Sequence, residues 1–145
     1  MRPPEKPEKP TFRHVVPIQI RFNDIDMMGH INNAKIQEYF DLGRVHYFLD
    51  VFSGPLFEGE LALVIASNKT DFFYPVLFSH HVEVRTSIYH FGNKSLKMLQ
   101  QIYLVGDGSV VSSCDSVMVC FCKDTQETTA IPASWKETIL NYEGN

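Results

Sequence analysis

The chain has 145 residues, of which 44% are hydrophobic and 21% charged, and this is the usage of one ordinary globular domain. The formal net charge is −4 at pH 7, which argues against nucleic acid or an anionic membrane surface as the main partner, because phosphate binding usually shows as a basic excess. The longest aliphatic run, residues 61–66, is far shorter than the ~18 residues that a membrane span requires.

The amino-terminal residues are rich in proline and charge and contain no apolar segment of the kind that signal peptides carry. We therefore expect residues 1–13 to form a flexible, extended tail and residues 14–145 to form a single domain. The cysteines, Cys114, Cys120 and Cys122, are an odd number crowded into one short segment. A disulfide framework is not expected, and a cytoplasmic location fits the chain best.

Hydrophobic periodicity predicts the first two elements. Apolar and polar residues alternate over residues 14–22, which is typical of a strand with one buried face. Residues 23–33 are polar and predict a loop. Either Asn32 or Asn33 can cap a helix over residues 34–51, where apolar side chains recur at three- and four-residue spacing. The prediction is an amphipathic helix of about five turns.

The rest of the chain is predicted to be mostly strand. A Ser53-Gly54-Pro55 stop is followed by predicted strands over residues 61–76, 81–91, 96–105 and 109–123, by turns at 92–94 and 106–108, and by a short closing helix over 133–142. This order of elements predicts an α+β fold. One helix cannot cover both faces of such a sheet, so we expect the remaining apolar surface to meet another subunit.

The densest cluster of polar side chains lies between the first strand and the helix: Asn23, Asp24, Asp26, His30, Asn32 and Asn33. A helix start offers unpaired N–H groups and the positive end of a dipole, which stabilise a carbonyl that develops negative charge. Asp26 is suited to act on that carbonyl or on a water beside it. The alternative is that Asp24 and the asparagines only cap the helix and satisfy a turn. Spacing alone does not separate the two interpretations.

A metal site or a cofactor is not expected. Asp24, Asp26 and Gly29 match the first half of a calcium loop, but Met28 replaces an oxygen ligand and Lys35 stands where the terminal glutamate is needed. The chain has no H-E-x-x-H and no paired Cys/His spacing typical of zinc. It also has no G-x-S-x-G, Walker A or G-x-G-x-x-G motif, so serine hydrolase, nucleotidase and dinucleotide-binding functions lack support.

The segment RFNDIDMMGHINNA, residues 21–34, resembles the signature of hotdog-fold acyl-CoA thioesterases of the 4-hydroxybenzoyl-CoA thioesterase and long-chain acyl-CoA thioesterase III type. Its sub-pattern D-x-x-x-H-x-N-N lies between a predicted strand and a long predicted helix. Residues 71–76, 82–86 and 91–95 are similar to later strand segments of the family. The likeness covers about residues 15–134.

The resemblance implies a hotdog fold: a curved antiparallel sheet of about five strands wrapped around one long helix. It further implies a homodimer or homotetramer in which subunits pair edge to edge and the acyl site lies between them. The implied activity is hydrolysis of acyl-CoA to the free acid and coenzyme A without a cofactor, nucleic acid or membrane. Two alternatives stay open: a non-catalytic acyl-binding hotdog protein and an acyl-ACP hydrolase. An acidic carrier would favour a basic rim, which the net charge of −4 does not suggest.

The resemblance also assigns roles to residues. The catalytic carboxylate of the family corresponds to Asp26, and the amide that polarises the carbonyl corresponds to Asn33. His30 and Asn32 match the H-x-N-N part of the motif and are catalytic candidates. The chain departs from many members at Met27-Met28, which leaves the shape of the acyl pocket open.

The residues suggest a second group of candidates, for substrate binding: Gly29, Arg85, Lys94 and Ser95. Coenzyme A phosphates need cationic partners, and Arg85 and Lys94 lie near one turn in the sequence. The alternative is that this turn is a solvated hairpin tip.

Overall fold

The computed structural model describes residues 11–53 and 59–144. Most of the predicted tail and the Gly54-Pro55 part of the predicted helix stop lie outside these residues. The elements are β1 (His14–Ile18), a 3-10 turn (Phe22–Asp24), α1 (Asn33–Phe52), β2 (Leu61–Phe72), β3 (Val82–Phe91), β4 (Ser95–Leu104), β5 (Val110–Cys122), β6 (Glu127–Thr128) and α2 (Ala133–Glu143).

The strands form one antiparallel sheet in the order β1-β3-β4-β5-β2, with β6 added to β5. Strands β3, β4 and β5 follow one another through short turns, because glycine-containing segments separate them at the predicted positions. The described sheet has the predicted number of about five strands, with β6 as a short sixth. The sixth, β6, is only two residues long, and so short a pairing leaves no periodic pattern in a sequence.

Two strands end earlier than the periodicity predicts. β1 stops at Ile18, and Phe22–Asp24 winds into a 3-10 turn instead of continuing the strand. β2 stops at Phe72, after which the chain turns through Tyr74 and Pro75. Proline has no N–H to donate to a sheet ladder, so the apolar run beyond Phe72 leaves the sheet. Both early ends create the loops that flank the start of α1.

Helix α1 lies against one face of the sheet and buries eight side chains or backbone positions: Ile36, Tyr39, Phe40, Gly43, Arg44, Tyr47, Phe48 and Val51. Gly43 allows this close approach, since a Cβ there would lie 2.7 Å from Val84 Cγ1. Neither helix in the described part of the chain is both long and apolar enough to cross a membrane.

Helix α2 is held at its end by a buried carboxylate. Glu143 Oε2 accepts hydrogen bonds from the Tyr47 hydroxyl (2.5 Å) and the Ile88 N–H (3.1 Å), and Oε1 accepts from the Ser87 hydroxyl (3.1 Å). Burial, together with the Glu143 hydrogen bond, raises the pKa of Tyr47. The Glu143 carboxylate therefore accepts a hydrogen bond from the Ile88 N–H, which lies in β3 just beyond the residues that pair with β1.

The buried core is divided by a polar row. One apolar cluster surrounds the first half of α1 and includes Ile36 and Phe40, and a second surrounds the later half and includes Tyr47 and Phe48. Where the two clusters meet, five residues pair side by side across the sheet: His14, Thr86, Gln100, Cys114 and Thr70. Cys114 is also a member of the first cluster. Directly paired residues share a face of the sheet. We call these five residues the polar row.

Candidate active site

The loop between β1 and α1 is a tight turn closed by its own backbone. The Asp26 N–H donates to the His30 carbonyl (3.0 Å), and the Gly29 N–H donates to the Asp26 carbonyl (3.1 Å). Gly29 has φ +87°, a backbone conformation that residues with a Cβ rarely adopt, so a glycine suits the turn. Ile25 and Ile31 form an isolated bridge on either side. This turn holds Asp26 directly beside His30.

The Asp26 carboxylate is partly exposed at this turn. Its Oδ1 accepts a hydrogen bond from the Met28 N–H (2.9 Å), which fixes the carboxylate against its own loop. Met27 and Met28 themselves are exposed on the outside of the turn. One carboxylate oxygen is therefore engaged by the backbone in a group that remains accessible to water.

Asn32 is the N-cap of α1, one of the two caps that the sequence predicts. Its Oδ1 accepts from the Ala34 N–H (2.8 Å), and its own N–H donates to the Asp24 carbonyl (2.9 Å). Asn33 is the first residue of the helix, so its N–H lies outside the intrahelical ladder. This N–H stands at the positive end of a 20-residue helix.

The cap makes a stability prediction. Asn32→Ala is expected to lower the free energy of unfolding by ~1 kcal/mol, the usual effect of losing an N-cap acceptor, and to lower Tm by about 3–5 °C. Asn32→Asp keeps an acceptor at the cap and should preserve Tm. Thermal unfolding followed by circular dichroism measures both. If Asn32→Ala left Tm unchanged, the side chain would be contributing nothing to the start of α1.

Asp24 is a structural residue that the sequence left ambiguous. Its carboxylate is buried, and Oδ2 accepts from the Tyr39 hydroxyl (2.5 Å) and from the Arg21 N–H (3.0 Å). Burial and the hydrogen bond to Asp24 raise the pKa of Tyr39. The pair ties the 3-10 turn to the second turn of α1. Asp24 thus stabilises the loop from its buried side, and the capping interpretation holds for Asp24 as it does for the Asn32 side chain.

A cleft of about 290 Å³ opens beside the start of α1. His30 and Asn33 line it together with apolar side chains that include Ile36, Phe72 and Val111. Its other wall is the turn after β2, which is joined to the helix loop by a hydrogen bond from the Ile31 N–H to the Val76 carbonyl (2.7 Å). The sequence predicts a strand over residues 61–76 and does not predict this wall of the cleft, although Pro75 within the apolar run indicates that the strand ends early.

The substrate-binding candidates are not all brought to this cleft. Arg85 lies between the rings of Phe12 and Tyr103, 4.8 Å from each centroid, and donates to Gln101 Oε1 at 2.7 and 3.0 Å. Burial lowers the pKa of Arg85. Its guanidinium is therefore committed to contacts with Phe12, which precedes β1, and with two residues of β4.

Lys94 and Ser95 lie at the turn between β3 and β4, at the far end of the sheet from the cleft. Ser95 pairs with Val119 on β5, whereas the cleft-lining Ser112 lies seven residues earlier on the same strand. At roughly 3.4 Å per residue this separation is more than 20 Å along the strand. Within one chain the structure does not join Lys94 and Ser95 to the start of α1.

A sequence model of the thioesterase-like superfamily matches residues 20–139, and the chain belongs to this superfamily. The curved antiparallel sheet around a long helix is the predicted hotdog fold. An uncharacterised protein of Bacillus subtilis (strain 168), YsmA, is 25% identical over 138 residues, which are 92% of this chain and 89% of YsmA.

Two solved structures share both the fold and part of the sequence. A thioesterase of Thermus thermophilus, solved with coenzyme A and zinc, is 28% identical with a TM-score of 0.79 and covers 92% of this chain and 97% of its own. A predicted thioesterase of Bacillus stearothermophilus is also 28% identical with a TM-score of 0.79, covering 88% and 93%. The superfamily and these neighbours support thioester hydrolysis as the activity.

Proposed function

We propose that the protein hydrolyses acyl-CoA thioesters to the free acid and coenzyme A. The observation that carries the proposal is the cleft, in which the helix start at Asn33 and the side chain of His30 meet apolar side chains. A thioester needs both environments, a polar one for its carbonyl and an apolar one for its acyl group. The similarity to a thioesterase that was solved with coenzyme A supports the choice of thiol.

In the proposed reaction the thioester carbonyl oxygen accepts a hydrogen bond from the Asn33 N–H. Asp26 either attacks the carbonyl carbon or removes a proton from a water that attacks it. In both routes the carbonyl oxygen gains negative charge, which the start of α1 stabilises. When Asp26 attacks, the carbon–sulfur bond breaks to leave a mixed anhydride on Asp26, which water then hydrolyses to the acid and the free Asp26 carboxylate; when water attacks, the carbon–sulfur bond breaks to give the acid directly. In both routes the coenzyme A sulfur leaves as a thiolate and takes up a proton, which the reacting water supplies overall. The products are the acid and the free thiol.

His30, Asn32 and Gly29 take supporting places in this proposal. His30 lines the cleft beside Asp26 and contacts the thioester, while Gly29 lets the turn close so that the Asp26 and His30 backbones pair. The Asn32 side chain is engaged in capping α1, so its contribution is to fix the orientation of the Asn33 N–H. Asp24 also has a positioning role, because its buried carboxylate holds the loop against α1 through the Tyr39 hydroxyl.

We further propose that the functional unit is at least a homodimer, formed through β2. This strand is an edge of the sheet, and Val64 and Ile65 on it are 39% and 41% exposed. Exposed side chains also occupy α1, where Leu42, Val45 and Leu49 face away from the sheet. A long edge strand with apolar side chains is a template for pairing with another strand.

Antiparallel pairing of two β2 strands would bring Lys94 and Ser95 of one chain toward the cleft of the other chain. The two chains would then run in opposite directions, so that the far end of one sheet lies level with the cleft of the other. The partner's Lys94 and Ser95 would lie three strands away from the edge, about 14 Å at the usual spacing. Lys94 would then be able to reach a coenzyme A phosphate, whereas Arg85 would remain in its ring contacts.

The dimer makes its own prediction. Val64→Lys places a charge on the exposed edge of β2 and is expected to give a folded monomer with a lower Tm and a large loss of hydrolysis. Val105→Lys is the matched control, since Val105 is 52% exposed but lies in the turn after β4. Light scattering and activity are measured on both. A wild-type monomer with full activity would contradict the shared site.

Hydrolysis of a panel of acyl-CoAs, followed by free-thiol detection, tests the proposed function. Turnover well above that of the Asp26→Asn variant is the expected result. If the protein bound acyl-CoA without turning it over, it would be the non-catalytic acyl-binding protein considered above. Turnover of acyl-ACP alone would instead identify the carrier protein as the true substrate and overturn coenzyme A.

A further inference from the structure

We propose that the polar row ends the acyl pocket, so that the preferred substrates carry straight acyl chains of up to about eight carbons. This proposal rests on the proposed function, because it names the substrate class of the same cleft. Three features of the molecule carry it: where the cleft leads, how far its apolar lining extends, and what stops a hydrocarbon chain at the row.

The cleft leads into the first apolar cluster and not the second. Ile31, Ile36, Val76 and Val111 belong to the first cluster and line the cleft, and no described lining residue belongs to the second cluster. An acyl chain whose carbonyl lies at Asn33 therefore enters the core along the first two turns of α1. The next group it meets along this path is the polar row.

The length of the path follows from helix and strand geometry. From Asn33 to Phe40 the helix rises about 10 Å at 1.5 Å per residue. Beyond this point Gln100 Nε2 donates to the Phe40 carbonyl (2.9 Å). With carbon–carbon bonds of about 1.5 Å at tetrahedral angles, an extended chain advances about 1.3 Å per carbon. The distance from Asn33 to the polar row thus equals the length of an extended chain of about eight carbons.

The sheet side of the path gives the distance that remains between the lining of the cleft and the polar row. In the polar row, Thr70 precedes the cleft-lining Phe72 by two positions on β2, and Cys114 follows the cleft-lining Ser112 by two positions on β5. Two strand residues span about 7 Å. The cavity of about 290 Å³ is also at the small end of the ~300–1,000 Å³ found for small-molecule sites.

The buried guanidinium of Arg44 prevents an acyl chain from extending past the polar row. Arg44 is 6% exposed, donates to Asp41 Oδ1 (2.6 Å), to Gln100 Oε1 (3.2 Å) and to Ser116 Oγ (3.4 Å), and keeps a buried Nε without a partner among the described residues. A methylene group pressed against these atoms offers no acceptor and would displace the contacts already made. Longer chains must therefore bend or stay outside.

The test is the rate of hydrolysis of straight-chain acyl-CoAs from four to sixteen carbons. We expect kcat/KM to rise by about fourfold for each added methylene, the value that follows from burying each one, until about eight carbons. It should then fall by at least ~10-fold by sixteen carbons. Rates that are flat or still rising at sixteen carbons would overturn the length limit. No hydrolysis at any length would instead overturn the proposed function.

Two variants test whether the polar row sets the limit on acyl-chain length. Arg44→Met/Gln100→Met removes the hydrogen-bonded Arg44–Gln100 pair together, so neither is left buried without the other, and should move the optimum to longer chains. Val111→Phe narrows the cleft ahead of the row and should move the optimum to shorter chains, which keeps the test valid if the double variant does not fold. Gln19→Met, at an exposed position, is the control. An optimum that stays at the wild-type length in both folded cleft variants would overturn the assignment.

Discussion

Replacing Asp26 by asparagine is expected to lower kcat by at least ~10²-fold while leaving Tm nearly unchanged. The substitution removes the charge that attacks the carbonyl or activates water, and this is the usual scale for losing a positioned acid or base. The fold should persist, because an asparagine Oδ1 can still accept from the Met28 N–H. Steady-state hydrolysis and thermal unfolding are measured together.

Asp107→Asn is the matched control for this charge removal. Asp107 also lies in an exposed turn, and its Oδ1 accepts from the N–H two residues later, that of Ser109, at 2.8 Å. The local geometry and the lost charge are the same, but Asp26 is joined through its backbone to His30, which lines the cleft, whereas Asp107 lies in the turn between β4 and β5. Similar small losses in both variants would assign Asp26 to the turn and not to the reaction.

The second large effect is expected at the Asn33 N–H, which proline removes without disturbing the helix. Proline is favoured at the first helical position, and Asn32 already has φ −60° and ψ 139°, the conformation that a following proline requires. Asn33→Pro should therefore fold and lower kcat by ~10²–10³-fold, as expected for the loss of one oxyanion donor. KM should change much less.

Asn33→Ala separates the backbone from the side chain at the same position. It keeps the N–H and removes the amide group, so its kcat should remain within a few-fold of wild type. If Asn33→Pro hydrolysed thioesters as fast as Asn33→Ala, the helix start would not be polarising the carbonyl. If the alanine variant alone lost activity, the side chain and not the backbone would be the donor.

The sequence predicts the elements well because their patterns are local. The helix predicted over residues 34–51 is Asn33–Phe52, and the closing helix predicted over 133–142 is Ala133–Glu143. The glycine-containing turns are also where the pattern predicts them. Periodicity reports which face of an element is buried, and each of these elements has one such face.

The parts that sequence reasoning missed depend on contacts between distant segments. Asp24 and Tyr39 meet across the loop, and the same aspartate could have been an exposed cap on spacing alone. The polar row exists only in the register that pairs Thr86 with Gln100 and Gln100 with Cys114. A shift of one residue would turn these side chains to the other face, and no single-strand pattern specifies that register.

The residues of the candidate site could be named from the sequence, whereas the shape of the cleft could not. A helix start preceded by Asp26 and His30 can be read from the sequence, since caps and loops have compositional signals. The wall formed by Phe72 and the turn after it required knowing where β2 ends. Whether Lys94 contributes depends on a second chain, which no pattern within one chain describes.

The order of strands in the sheet also has a consequence for how the molecule assembles during folding. β3, β4 and β5 are joined by short turns and can pair locally, whereas β2 must find β5 after both intervening strands have been placed. Closing so long a loop is slow relative to forming a hairpin. Phe72 and Ser112, which face each other across this pairing, both line the cleft. The cleft therefore forms only when the long-range pairing of β2 with β5 forms, and a chain in which only β3, β4 and β5 have paired does not yet have it.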